Sequence, residues 1–313
     1  MARSKAKARA DREDRKKRRA QKGTLKEQQV KPRTLARYQR AYTLWDSFAR
    51  CFNTCLRNPQ IDEAMAGYLE HLYAEGDPMS YATDALAALQ YFRPRTIGKL
   101  KQSWKLLSVW RRTEPPNRVK PFTPLMVLGL AGAALHTDAM DMAAILLVGF
   151  DCFLRTGELF SLKCAFITLY TNKAVIKLID TKTSSRKGTS EQVVVTSQLA
   201  VNVLRRVCSE RSPGQTLLSG SVSAARSLLR KLLSTFDLST LDYNFYSLRR
   251  GGATSYFYRT GSMQQTLATG RWENSSTARI YIQDAAAQAG ELNLSSMQRQ
   301  ALTTSANFLK QWL

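Results

Sequence analysis

The chemically suggestive residues lie in the last third of the chain. There Tyr246-Ser247-Leu248-Arg249-Arg250-Gly251-Gly252 is followed by Gly270-Arg271-Trp272 and, nine residues after Trp272, by Tyr281. Arginine presents a planar, permanently charged fork of donors that grips phosphate bidentately. Tyrosine is one of the few side chains that form covalent intermediates. Together, in a chain of 313 residues with two histidines (His71 and His136), they point to metal-free chemistry on a phosphodiester. So few histidines leave little room for a His-based metal site or a Ser-His-Asp triad. No phosphate-cradling glycine loop or acidic metal cluster is read in the sequence, so neither a metal nor another cofactor is expected.

Further groups upstream fit the same chemistry. Arg155 follows the apolar run Met142 to Phe150, where a guanidinium is costly unless paired. Glu158, three residues on, can orient it, and a plain structural Arg–Glu pair is the alternative. Lys182 sits in a Thr/Ser-rich turn, from which it can protonate a leaving oxygen; Lys187, in the same turn, competes for that role. Trp272 either packs in the core or walls the site and donates its indole N–H. Gly251 and Gly252 allow backbone or ligand to come close. Arg279, close to Tyr281, adds positive charge beside the tyrosine.

Apolar spacing predicts the elements that carry these residues. Thr34 is read as a helix N-cap, with Leu35, Tyr38, Tyr42, Trp45 and Phe48 on one face. Three more helices follow near Ile61–Ala74, Tyr81–Phe92 and Ile97–Trp110, and residues 114–120, with Pro115-Pro116, read as a linker. Beyond it Thr123-Pro124 opens a helix to Leu135, and another spans Asp138–Phe153. The convincing strand signals are Ala174–Asp180 and Gln192–Thr196. Helices resume at Ser197–Cys208, Ser221–Phe236, Arg250–Thr260, Met263–Thr269 and Ser275–Asp284, and an apolar tail, about residues 286–313, needs a surface to cover it. The fold class is therefore mainly α (α+β): a helical domain, then a mostly helical domain with a small antiparallel β-sheet.

Charge points to the partner. The chain carries 47 Lys and Arg against 24 Asp and Glu, a net +23, which favours a polyanion. Residues 1–28, without apolar periodicity before Leu25, are expected to be a disordered basic tail. Its run Arg15-Lys16-Lys17-Arg18-Arg19 reads as a DNA-gripping arm, a nuclear import signal or both, against a generic solubilising tail. Arg93, Arg95 and Lys99 form a second basic cluster. Five cysteines without a CxxC spacing read as reduced thiols, mostly buried, of an intracellular protein. No apolar run is long enough to cross a membrane, and no membrane partner is expected.

In order along the chain, "LRTGELFSL", "YSLRRGGAT" and "GRWENSSTARIYI" resemble the boxes of the tyrosine recombinase, or phage integrase, family over residues 119–285. That resemblance implies a SAM-like core-binding domain at 29–113 and a catalytic domain at 121–313. It implies that Tyr281 attacks the scissile phosphate and forms a 3′-phosphotyrosyl bond. Arg155 and Arg249 would clamp the non-bridging oxygens, Lys182 would protonate the departing 5′ oxygen, and Trp272 would take the family's His/Trp position. Glu158 would support Arg155, and Arg250 would contact DNA. The implied partners are double-stranded DNA and further copies of the chain, a tetramer on DNA. The implied location is with DNA: the nucleus in a eukaryote, the cytoplasm or nucleoid in a bacterium. The chain departs from the pattern at Tyr246, where the family has histidine. That substitution keeps open a domesticated DNA-binding protein with weak or no catalysis, and beyond it a type IB-like topoisomerase.

If the basic tail grips phosphates, removing residues 1–24 should flatten the dependence of log affinity on log salt. A binding titration at several salt concentrations checks this, and an unchanged slope would place the tail off the DNA.

Overall fold

A computed structural model describes residues 2–25, 27–51, 60–115, 118–179, 191–282, 290, 292–312 of the chain. It divides into two compact units, residues 1–117 and 118–313. Among the described residues there are fourteen α-helices and a three-stranded antiparallel sheet, the mainly helical class that the periodicity predicts.

The first unit holds α1 (Ala2–Lys22), α2 (Pro32–Cys51), α3 (Gln60–Ala74), α4 (Met79–Phe92) and α5 (Lys101–Thr113). The basic tail carries helix α1. Its Ala, Lys, Arg and Gln favour helix and no Gly or Pro interrupts it before Gly23. Its residues 11–21 are nevertheless all exposed. Helix α2 starts at Pro32, so Thr34 lies inside it and is not its cap; proline suits the first turn, where no N–H is needed. The fourth predicted helix starts later than its apolar spacing suggests, because Pro94–Thr96 forms a 3-10 turn and Gly98 takes φ +77. Trp45, Met65, Leu69, Leu86, Leu89 and Leu107 fill this unit's core. Across it, Asp62 accepts hydrogen bonds from the backbone of Gln102 and Ser103 at the start of α5, at 2.9 and 3.0 Å.

The second unit is built on α6 (Pro124–His136) and α7 (Met140–Asp151). Thr123 caps α6 through the Met126 N–H at 3.3 Å. Residues Met142–Gly149 of α7 are all buried, as their unbroken apolar run requires. A short α8 (Thr156–Ser161), absent from the sequence reading, leads into the sheet β1 (Ile167–Leu169), β2 (Ala174–Leu178), β3 (Glu191–Val195), in that spatial order. Ile176 pairs with both Ile167 and Val193. Ala174, Ile176, Leu178, Val193 and Val195 turn into the core while alternate residues face out. At the end of α7, Asp151 accepts from the backbone N–H groups of Thr196 and Ser197, at 2.7 and 3.1 Å, which ties β3 to that helix end.

Helices α9 (Gln198–Ser209), α10 (Val222–Thr235), α11 (Phe245–Thr260), α12 (Met263–Gly270), α13 (Ser275–Tyr281) and α14 (Ser296–Trp312) complete the unit. Part of the apolar tail is covered by its own chain, while Leu292 and Met297 stay exposed. Leu302, Ala306 and Leu309 of α14 are buried against α6. Ser305 donates to the Gly129 carbonyl at 2.7 Å, and the Arg206 guanidinium lies 4.1 Å over the Trp312 ring. The fit depends on Gly132, where a Cβ would come within 2.0 Å of the Ser305 carbonyl oxygen. Gly132→Ala should therefore lift α14, costing about 1–3 kcal/mol of overpacking. The measurements are a lower denaturation midpoint and faster proteolytic loss of the carboxyl-terminal helix.

Candidate active site

Helix α11 begins five residues before the predicted start at Arg250, so Tyr246, Arg249 and Arg250 share one helix. The missed signal is a cap: Asn244 Oδ1 accepts from the Tyr246 N–H at 2.8 Å, and Ser247 Oγ accepts from the Asn244 N–H at 3.1 Å. Gly251 and Gly252 serve packing. A Cβ on either would come within 2.0 Å of a carbonyl oxygen, that of Phe122 or Phe150. Their absent side chains let α11 press onto α7 and fix the depth of Arg249.

Arg249 is fully buried. One guanidinium nitrogen donates to the Phe153 carbonyl and the other to the Gly270 carbonyl, the latter at 3.0 Å. Phe153 lies in the turn that ends α7 and Gly270 is the last residue of α12, and both turns use left-handed backbone, at Phe153 (φ 48) and Arg271 (φ 56). Two helix carboxyl ends, each with carbonyls lacking intrahelical partners and a negative dipole end, thus face the cation. The guanidinium also lies 4.6 Å from the Trp272 ring centre and 5.0 Å from that of Tyr281. Burial, and then the nearby charges of Arg155 and Arg271, bring its pKa down to about 10, so it remains a cation near neutral pH.

Arg155 is the N-cap of α8 and donates from Nη1 to Glu158 at 2.7 Å, while its backbone N–H donates to the other carboxylate oxygen at 2.9 Å. Glu158, 6% exposed, also accepts from Arg271 at 2.8 Å, and Arg271 reaches Glu191 of β3 at 3.3 Å. Arg271 was not singled out as a site residue from sequence; only its neighbour Trp272 was. The bridge joins residues distant in sequence, and spacing carries no trace of it. Burial pushes the Glu158 carboxyl up, but Arg271 first and then Arg155 hold it below its ordinary value.

Trp272 belongs to a small apolar cluster with Phe153, Ala253 and Ala278, and its ring centre lies 4.8 Å from that of Tyr281. It packs and walls the site at once. Tyr281, at the end of α13, is partly buried, and its backbone carbonyl accepts from Thr254 at 3.3 Å. Its phenol oxygen accepts a hydrogen bond from the Tyr246 hydroxyl at 2.8 Å. Burial, then the bond and the charge of Tyr281, push Tyr246 up to about 12. Burial also pushes Tyr281 up, but the hydrogen bond from Tyr246 and the charges of Arg249 and Arg155 outweigh it, and its pKa lies below the ordinary phenol value.

The comparisons are made against this geometry. No family profile and no curated protein matches the sequence. Solved structures do match. The Tn1549 transposon integrase in complex with transposon right end DNA aligns with a TM-score of 0.61 at 10% identity, over 84% of this chain and 95% of that one. XerH site-specific recombinase, in its post-cleavage complex with a palindromic difH substrate, gives 0.55 at 12% identity, over 81% and 79%. A lambda integrase dimer bound to a COC' core site gives 0.54 at 16% identity, over 82% and 73%. The fold is that of the tyrosine recombinases.

Of the sequence-predicted residues, the recombinase-like unit brings Arg155, Glu158, Tyr246, Arg249, Trp272 and Tyr281 to one place. Lys182 and its competitor Lys187 lie outside the described residues. Arg250, expected to be presented to DNA, is 4% exposed, with its guanidinium 5.6 Å from the Tyr246 ring centre. Helix α11 turns it inward beside that ring, and burial lowers its pKa. Arg15, Lys16, Lys17, Arg18 and Arg19 are exposed on α1, Arg18 paired with Asp14. Arg95 and Lys99 are exposed, but Arg93 donates to the Tyr42 hydroxyl at 2.9 Å and lies 5.7 Å from the Trp45 ring centre. Among the described residues no helix is long and apolar enough to cross a membrane.

A depressed carboxyl contributes stability that is present above its unfolded pKa and lost as pH falls through the folded value. Glu158→Gln should therefore destabilise the second unit near neutral pH by about 1.5–3 kcal/mol, since Arg155 and Arg271 lose their shared carboxylate while Arg271 keeps Glu191. It should also weaken the loss of stability on acidification. Denaturant titrations of both proteins between pH ~3 and ~7 check both effects.

Proposed function

We propose that the protein is a site-specific DNA recombinase or integrase, carried by a mobile element, that cuts and rejoins double-stranded DNA through a 3′-phosphotyrosyl intermediate. The observation that carries the reading is the convergence on Tyr281 of the Arg249 guanidinium, the Trp272 ring and the charge of Arg155, from elements far apart in sequence. The fold supports it, because solved proteins of that fold are described bound to DNA, one as a lambda integrase tetramer on a Holliday junction.

In this reading the Tyr281 oxygen bonds to phosphorus as the bond from phosphorus to the 5′ oxygen breaks. The phenol proton passes to water, and Lys182 gives a proton to the departing 5′ oxygen. Arg155 and Arg249 bind the non-bridging oxygens, where negative charge builds in the transition state. Glu158 and Arg271 keep Arg155 in place before substrate arrives. The covalent bond conserves the energy of the phosphodiester, so the reverse attack reseals the strand without a nucleotide cofactor or metal. Copies of the chain assemble on DNA, held by the exposed basic residues of α1 and by Arg95 and Lys99.

A second reading rests on Tyr246 in the place of the family's histidine: a DNA-binding protein that retains the fold without strand transfer. A nicked suicide duplex, drawn from a sequence pool, separates the two. The recombinase traps a covalent adduct that Tyr281→Phe abolishes, whereas an absent adduct favours the second reading, and an adduct that persists in Tyr281→Phe overturns Tyr281 as the nucleophile.

A further inference from the structure

The Tyr246 hydroxyl is 2.8 Å from the Tyr281 hydroxyl, and the two rings are 5.7 Å apart. We propose that the two tyrosines work as a dyad in which Tyr246 keeps its own proton, donates a hydrogen bond to the Tyr281 oxygen and stabilises the Tyr281 phenolate. This rests on the reading of Tyr281 as the nucleophile and deepens it: Tyr246 becomes a catalytic residue that touches the reacting atom.

The direction of the bond follows from what surrounds each ring. Tyr281 faces Arg249 of α11, at 5.0 Å from its ring centre, and the charge of Arg155 from the N-cap of α8. Behind these cations lie Glu158 and Arg271, paired with each other at 2.8 Å. Helix α12, packed on α13, has no ionisable side chain from Met263 to Gly270. Arg279 is exposed on α13 itself. Tyr246 has Arg250 beside its ring at 5.6 Å and feels Arg249 more weakly than it feels burial. The stronger positive field is on Tyr281, so its oxygen is the better place for negative charge. Two phenolates at this distance would repel, so ionisation of one holds the other protonated. The opposed displacements of the two pKa values agree with this geometry. A histidine in the same place would change charge near pH ~6.5, whereas the phenol of Tyr246 does not titrate near neutrality.

The full-length protein labelled with carbon-13 at tyrosine Cζ tests the dyad without DNA, the Tyr281 signal being assigned by its loss in Tyr281→Phe. The Tyr281 signal should titrate below the ordinary phenol range in wild type. In Tyr246→Phe its midpoint should rise by about one pH unit or more, the effect of losing a hydrogen bond to a charged group. Tyr246→His should restore part of the depression and introduce a step near pH ~6.5. A Tyr281 midpoint unmoved in folded Tyr246→Phe, or moved equally in Tyr246→His with no such step, overturns the dyad. Trapping on the suicide duplex is scored separately. A moved midpoint with no adduct leaves the dyad standing and defeats the strand-transfer reading; an adduct with an unmoved midpoint does the reverse.

Discussion

The meeting of α7, α11, α12 and α13 at the site depends on one buried cation. Arg249 has no exposed surface, and a bare guanidinium in such a place would cost several kcal/mol. Among the described residues no carboxylate is bonded to it. Its partners are the carbonyls of Phe153 and Gly270, at the ends of two helices, and the faces of Trp272 and Tyr281. Carbonyl dipoles and ring quadrupoles compensate a cation without neutralising it. A carboxylate would compete with a phosphate for the same donors. Carbonyl anchoring leaves the net positive charge in place for an incoming anion, and it explains why α7, α12 and α13 must all meet at this residue.

The second arginine is handled differently. Arg155 is partly exposed and bonded to Glu158, so its charge is shared. Arg271 restores the balance: two cations share Glu158, and Glu191 takes the other terminal nitrogen of Arg271. The chain Arg155–Glu158–Arg271–Glu191 runs from the start of α8 through the end of α12 to the start of β3. The left-handed turn at Arg271 that frees the Gly270 carbonyl for Arg249 is therefore the same turn that places the ion bridge. One local conformation sets both arginines, and the turn has a non-glycine residue because its side chain is used.

Much of this was legible in the sequence, unevenly. The apolar run of α7 and the Thr123-Pro124 start of α6 fixed their elements because local chemistry suffices there. The grouping of Arg155, Glu158, Tyr246, Arg249, Trp272 and Tyr281 was legible through resemblance, since order and spacing of three boxes survive without overall identity. The start of α11 was missed because Asn244 caps it over an aromatic first turn that shows no helical period. Helix α8 and β1 were missed because six and three residues are too short for periodicity to register. Arg271 and the inward turn of Arg250 were illegible for a different reason. A basic residue beside a glycine looks the same in sequence whether it faces water or a buried carboxylate, and only the packing of distant segments decides.

Tyr246 is best judged by what a phenol, and what an imidazole in its place, can do beside Tyr281 and three arginines. A protonated imidazole would add a further cation to a site that already holds Arg249, Arg155 and Arg271, and a neutral one would offer a single N–H. Burial first, and then repulsion from Arg155 and Arg271, already lower Arg249 to about 10. A phenol adds a donor with no charge and is insensitive to pH near neutrality. Its oxygen bears negative charge less readily than Tyr281's, because the field of Arg249 and Arg155 falls on Tyr281. Electrostatics thus assigns different roles to two chemically identical side chains: the tyrosine on α13 is favoured to lose its proton, and the one on α11 to keep it. With tyrosine rather than histidine at position 246, this residue carries no charge that changes across the neutral range.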